Sequence, residues 1–421
     1  MNINTTRRAF FGRVSGTVAL SAALGARRMA AQIALSASKK PGDEEFWTFV
    51  HKQFVIEPGV TYLNAGTTGA MPRAVLEAES RYQRMLAENP KVRAAMQHVV
   101  AHEIRPKAAA LIGADLEETA LTHNTTEGLN IVAQGLPLKS SDQVIITDQE
   151  HPAHREAWRL RSKRDGVEIV QVNIPSPLPD TPTFLNLVER AITSRTKVIA
   201  VPHITTTTGL ITPAKEVCTL ARSKGILSLL DGAHGSGQIQ LNVKDFGCDF
   251  YATSPHKWLH APLGNGIFYV RRERQDMLWP IMGHAGWDTY GDAQKYSTFG
   301  NRSWSTAMAL GDAIDFANSI GIQKIEGRQR ELMTYFKQAL LTKPGVEPLT
   351  PNDPARFCAQ SAFRFPKLNA RQLTAMLRDK HGIVVGEKPD GFRADIGYYI
   401  TRPQLDGVLE ILERVAQKGL A

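Results

Sequence analysis

The sequence predicts an α/β protein, with a large domain on a mostly parallel sheet flanked by helices and a smaller C-terminal α+β domain. Three observations predict it. Six apolar, β-rich runs recur between residues 143 and 270, several of the intervals between them carry helical spacing, and 421 residues exceed what one hydrophobic core fills. An apolar share of 43% with 22% charged residues is that of an ordinary globular chain, and no internal repeat is visible.

The N-terminus reads apart from the rest. Arg7, Arg8, Arg13, Arg27 and Arg28 stand among the first thirty residues with no Asp or Glu, around a mildly apolar run from Val14 to Leu24. A basic start, a short apolar stretch and a small-residue exit near Met29-Ala30-Ala31 describe a secretory signal, and Thr6-Arg7-Arg8-Ala9-Phe10-Phe11 resembles the twin-arginine type. Residues 1–31 are therefore expected to be a signal segment and the mature protein to be periplasmic or otherwise exported. The alternative is a basic N-terminal arm. These arginines carry five units of the formal net charge of +9, which removes the main support for a nucleic-acid partner. No later stretch is long and apolar enough to cross a bilayer.

Residues 32–60 read as a polar linker, with Lys39, Lys40, Pro41 and Gly42, followed by a helical segment from Glu44 to Phe54. The large domain is expected over 61–300. Its regular part holds strands at 143–148, 167–174, 197–204, 226–231, 248–253 and 265–270, with helices at 151–164, 184–194 and 213–224 between them. That alternation places ligands beyond the carboxyl ends of the strands. Polar residues do gather there: Asp148-Gln149-Glu150-His151, then Thr205 to Gly209, then Asp231-Gly232-Ala233-His234, then Ser254-Pro255-His256-Lys257-Trp258. A boundary near Thr298 to Ser303 opens the small domain, 301–421, with helical runs and strand-like segments at 360–366 and 392–399.

Three cysteines, Cys218, Cys248 and Cys358, are odd in number and lack metal-ligand spacing, so neither a disulfide framework nor a metal site is indicated.

The strand-end residues suggest a cofactor. A lysine becomes a nucleophile when burial lets its amine shed a proton, and Lys257 sits between His256 and Trp258 in an apolar stretch. Alone it reads equally as a surface lysine. Asp231 changes the balance, because a carboxylate ending the apolar run Ile226 to Leu230 is costly unless it meets a cation, and the pyridinium nitrogen of pyridoxal phosphate (PLP) is one. A helix cap is the other reading of Asp231. Asn124-Thr125-Thr126-Glu127-Gly128 supplies hydroxyls and backbone amides for a phosphate at a helix start, or else an ordinary capping box. Ser254 and His256 can add donors, and His151 can stack on the cofactor ring or face solvent.

The stretch 231–268, with Asp231 and the His256-Lys257-Trp258 triplet, resembles the cofactor segment of class V aminotransferase-like PLP enzymes of fold type I, most closely the isopenicillin N epimerase-related branch. The likeness runs from Tyr62-Leu63-Asn64-Ala65-Gly66 to Arg393. It implies that Lys257 bonds the cofactor, Asp231 pairs with its ring nitrogen, His151 stacks on the ring, and Thr206 lies near the ring hydroxyl. It implies further that Thr125, Thr126, Ser254 and His256 hold the phosphate, with His234 another cofactor contact. Asn64 and Arg393 are the expected substrate contacts, Arg393 for the carboxylate. A homodimer acting on a small amino acid is expected. The sequence also departs from the family: the loop that carries a nucleophilic cysteine in the desulfurases is His381 to Lys388 here, without cysteine, the family's Gly-Thr pair is Gly300-Asn301, and its Tyr-Asn-Thr is Tyr399-Ile400-Thr401. The expected function is chemistry at an amino acid's α-carbon, as an aminotransferase or epimerase; the alternatives are a β-eliminating carbon–sulfur lyase and an exported, non-catalytic PLP-binding protein.

Overall fold

The computed structural model describes residues 44–297 and 300–420. The expected signal segment, the linker up to residue 43, and Thr298 and Phe299 at the expected boundary lie outside the described residues.

The first strand, β1 (Thr61–Leu63), belongs to a smaller sheet. The main sheet takes the next seven: β2 (Thr119–Thr122), β3 (Gln143–Thr147), β4 (Glu168–Val172), β5 (Thr196–Pro202), β6 (Leu227–Asp231), β7 (Phe250–Thr253) and β8 (Gly266–Val270), in the order β2-β8-β7-β6-β5-β3-β4. Strands β3 to β7 pair in parallel, because each connection carries a crossover helix: Pro152–Asp165, Thr181–Ala191, Ala214–Ser223 and the short Val243–Phe246. No helix separates β7 from β8, so β8 returns antiparallel to β7 and pairs with β2 at the edge. The connection between β7 and β8 is the one that carries Lys257.

The sheet is covered on both faces, as its apolar runs require. Along β6 and β7, Leu229, Phe250 and Ala252 face a core with Leu129, Val132, Trp158 and Phe268, while Leu230 and Tyr251 face the opposite core with Val217, Leu241 and Val243. The first of these cores is built from the helices Thr125–Gly135 and Pro152–Asp165. Among the described residues, no helix is long and apolar enough to cross a membrane.

The smaller sheet has the order β1-β11-β12-β10-β9, with β9 (Glu347–Pro348), β10 (Gln360–Arg364), β11 (Ile383–Lys388) and β12 (Gly391–Asp395). Two expectations are corrected here. Residues 61–63, assigned to the large domain, pair in parallel with β11 instead; three residues bury too little to fix their own sheet, and the partner decides. Residues 383–388, read as part of a loop, form a strand, since Ile383, Val384 and Val385 suit a pleated surface with partners on both sides. The strand-like segment at 392–399 ends at Asp395, and Ile396 to Tyr399 form a buried turn before the helix Arg402–Lys418.

Candidate active site

A cavity of about 790 Å3 opens where the carboxyl ends of β3, β5, β6 and β7 meet β11 and β12. Ten of the sequence-selected residues line it: Asn64, Thr125, Thr126, His151, Thr206, Asp231, Ser254, His256, Lys257 and Arg393. His234 does not line it; it sits behind the lysine.

Lys257 is 8% exposed, and its Nζ lies 3.4 Å from His234 Nε2. The far side of that imidazole fixes its proton. The Trp258 indole can only donate, and it donates to His234 Nδ1 at 3.2 Å, so the neutral ring carries its hydrogen on Nε2, toward Lys257. An N–H facing an amine favours the neutral amine, which can accept, over the ammonium, which cannot. Burial pulls the lysine down to about 8, with Asp231 opposing and Arg393 assisting. Burial and the lysine's charge likewise hold His234 well below its ordinary range.

Asp231 ends β6 and is 4% exposed. Its Oδ1 accepts from the Ala233 amide at 3.0 Å, which makes a local turn rather than a helix cap, since the next helix begins only at Val243. Its Oδ2 lies 4.0 Å from His154 Nδ1. His154 is fully buried, its Nδ1 is 2.6 Å from Glu150 Oε2, and the Glu150 Oε1 accepts from the Thr147 amide and hydroxyl. Burial alone would lower His154, but the Glu150 carboxylate outweighs it and the group is raised. The pair Glu150–His154 therefore stands behind Asp231 as a second, buried charge pair. Sequence reasoning did not select either residue for function. Their spacing of four at the start of a helix, Glu150-His151-Pro152-Ala153-His154, was the available signal.

The helix Thr125–Gly135 points its first turn into the cavity. Asn124 caps it, accepting from the Glu127 amide at 3.0 Å, which leaves the Thr125 and Thr126 ends free of that role. The Thr125 amide donates to Ser254 Oγ at 3.0 Å, and the two hydroxyls are 2.7 Å apart, so the helix start and the end of β7 form one polar cradle. His256 Nδ1 is buried there without a partner among the described residues, and burial with the charge of Lys257 draws the ring down to about 4.

Opposite, His151 caps the helix Pro152–Asp165, its Nδ1 accepting from the Ala153 amide at 3.1 Å. Arg393 is 3% exposed; its Nη2 donates to Asp395 Oδ2 at 2.6 Å and its Nη1 to Thr206 Oγ1 at 3.1 Å. The Thr206 hydroxyl is thus engaged with the arginine. Arg393 Nε is buried with no partner among the described residues.

Residues 61–391 match the family described as Aminotransferase class-V. The chain belongs to the class V aminotransferase family. Within it, the isopenicillin N epimerase of Streptomyces clavuligerus is 30% identical over 392 residues, covering 87% of this chain and 98% of that protein. A probable cysteine desulfurase of Methanothermobacter thermautotrophicus is 27% identical over 387 residues, covering 85% and 95%. Among solved structures, a cysteine desulfurase of Escherichia coli superposes with a TM-score of 0.77 at 24% identity, over 88% of this chain and 98% of that one. A carbon–sulfur lyase with glycine covalently linked to its PLP superposes with a TM-score of 0.79 at 21% identity, over 86% and 98%. These two likenesses show the fold, which is PLP fold type I.

The cofactor of this class V aminotransferase-family protein is pyridoxal phosphate. The cavity fits that group: Asp231 offers a buried acid to a pyridinium, Lys257 a buried amine of low basicity, and the Thr125–Ser254 cradle at a helix start, beside the buried His256, hydroxyl donors to a phosphate.

Proposed function

We propose that this enzyme removes and returns the α-proton of an amino acid, as an epimerase or an aminotransferase, with Lys257 as the base. The observation that carries the reading is the state of Lys257: buried, drawn down to about 8, and faced by an imidazole N–H that favours the neutral amine. PLP, when bound, supplies the electron sink that makes an α-proton acidic. The chain does the rest. Asp231 holds a positive charge at the ring nitrogen, with the Glu150–His154 pair keeping its carboxylate in place. Thr125, Thr126, Ser254 and His256 anchor the phosphate, and His151 covers the ring. Arg393, at the cavity wall, binds the substrate carboxylate, its guanidinium held in orientation by Asp395 and Thr206. Lys257 then takes the proton and holds it at Nζ for return.

Epimerisation is favoured over the other outcomes by the 30% identity to the Streptomyces clavuligerus epimerase across almost its whole length. Sulfur transfer through a protein thiol is disfavoured, because all three cysteines are buried and none lines the cavity; burial pushes Cys218 and Cys358 up to about 12. The test is to incubate PLP-loaded enzyme with a panel of L-amino acids and assay chiral inversion, keto acid and released thiol in parallel. Inversion or keto acid is expected. Thiol or sulfide release from cysteine or cystine as the main product, with no inversion of any amino acid, would replace this reading by the lyase.

A further inference from the structure

Besides Lys257 and Arg393, the cavity is lined by two cations that the proposed chemistry does not use, the exposed Arg155 at its rim and Lys388 on the wall beside Arg393. Lys388 ends β11, is half-buried, lines the cavity, and has no hydrogen bond or ion pair among the described residues. The strand register says where it stands. Gly386 of β11 is paired with Arg393 of β12, and Lys388 with Gly391, so Lys388 and Arg393 are diagonal neighbours on one face of the sheet. Such neighbours lie about 7–8 Å apart. The residue directly opposite Arg393 is Gly386, and a Cβ there would come within 3.3 Å of Asn64 Oδ1 and 3.6 Å of Arg393 Cβ. Asn64, Arg393 and Lys388 therefore share one wall with nothing intervening but backbone. The adjacent Glu387, paired with Phe392, reaches the cavity rim as well, and its carboxylate accepts from the Thr374 hydroxyl at 3.3 Å rather than pairing with Lys388.

Two cations on one wall repel, and Asp395 is the carboxylate they share: it is ion-paired to Arg393 at 2.6 Å and acts on Lys388 only through its field. Burial, Arg393 and Lys257 still outweigh Asp395 and draw Lys388 down to about 8, a cost that a bound anion would relieve. The hydroxyl and imidazole cradle at Thr125, Ser254 and His256 belongs to the main sheet, whereas Lys388 stands on the small sheet beside the substrate arginine. The cofactor phosphate thus has its own site, and the lysine faces the substrate.

Building on the proposed α-carbon chemistry, we propose that Lys388 binds a second anionic group of the substrate, so that the preferred substrate is an amino acid with an acidic function beyond its α-carboxylate. With the two cations on diagonal positions of neighbouring strands, the second acid group would sit beyond the α-carboxylate, as in a dicarboxylic amino acid.

The test uses the PLP-loaded enzyme. Its visible absorbance is titrated with L-glutamate and L-α-aminoadipate, and with the uncharged L-norvaline and L-norleucine; α-proton exchange in deuterated water is followed for each. The wild type is expected to prefer the diacids by tenfold or more, since a charge-assisted hydrogen bond is worth roughly 1.5–3 kcal/mol. Lys388→Met should collapse that preference, and Lys388→Arg should keep most of it. Equal weakening of diacids and neutral amino acids in Lys388→Met overturns the proposal. So does loss of PLP on gel filtration of Lys388→Met with the preference intact, which would give the lysine to the cofactor phosphate. If no amino acid of either kind shifts the spectrum or exchanges its proton in the wild type, the α-carbon reading itself fails, and this inference with it.

Discussion

At the scale of single residues, the basicity of Lys257 decides most of the proposed chemistry. Only the neutral amine can attack the aldehyde of the cofactor, and burial lowers this lysine from an ordinary value of 10.5 to about 8. The sign follows directly: below pH 8 the protonated, inert form dominates, and above it the neutral form does. Capture of PLP by cofactor-free protein should therefore speed up about tenfold per pH unit below 8 and level off above it. Stopped-flow absorbance across pH 6 to 10 checks this. A rate still rising steeply beyond pH 9.5 would mean an exposed, ordinary lysine. The partners of Lys257 were unevenly legible in the sequence. Asp231 at the end of an apolar run and Lys257 beside Trp258 could be picked out, because each is an ionisable group where burial needs a reason. His234 was placed at the cofactor, yet it works from behind the lysine, and that depends on where the Trp258 indole points. Glu150, named only as one of the polar residues at a strand end, and His154 were not selected for function, because an acid and a histidine at a helix start look like an exposed pair until the helix is docked over Asp231. Lys388 was named only as the last residue of a loop without cysteine, and its place beside Arg393 depends on the strand register.

At the scale of elements, the phosphate cradle depends on how closely the helix Thr125–Gly135 lies on the sheet. Gly128 allows that approach: a Cβ there would stand 2.7 Å from Ala252 Cβ and 3.1 Å from the Phe268 ring. Neither neighbour can yield, as both belong to fully buried strands at the centre of a packed core. Gly128→Leu should lift the first turn of the helix from Ser254, cost about 1–3 kcal/mol of stability, and release PLP more readily than the wild type does. Thermal melting with and without cofactor, and absorbance after gel filtration, measure the two effects. Unchanged cofactor retention would show that the cradle does not depend on this contact. The strands of the main sheet were legible from composition because their apolar runs are long and bounded by turn residues. The helix over 125–135 was recognised only by its start. β1, β2 and β11 were missed, since strands of three to six residues take their identity from partners distant in sequence, as Thr61 does from Ile383 and Thr119 from Tyr269.

At the scale of the whole molecule, the site exists because two sheets meet. The main sheet brings Lys257, Asp231 and the Thr125–Ser254 cradle; the small sheet brings Arg393 and Lys388; and the Asn64–Gly69 turn ties them together, with the Gly69 amide donating to the His256 carbonyl at 2.8 Å and the Gly66 amide to Asp395 at 3.2 Å. The fold class could be read from strand and helix alternation, but the meeting of the sheets could not, because it rests on residues far apart in sequence, as Gly69 with His256 and Arg393 with Thr206, each pair 187 positions apart. The central claim is that this assembly exists to let Lys257 move a proton at an amino acid's α-carbon. It is tested most directly by following loss of the α-proton signal in deuterated water by NMR, for wild type and for Lys257→Ala, each with PLP bound and with saturating L-α-aminoadipate or L-glutamate. The wild type should exchange the proton, and Lys257→Ala should exchange it at least about 100-fold more slowly while still binding cofactor and amino acid. Exchange at the wild-type rate in Lys257→Ala would contradict the account.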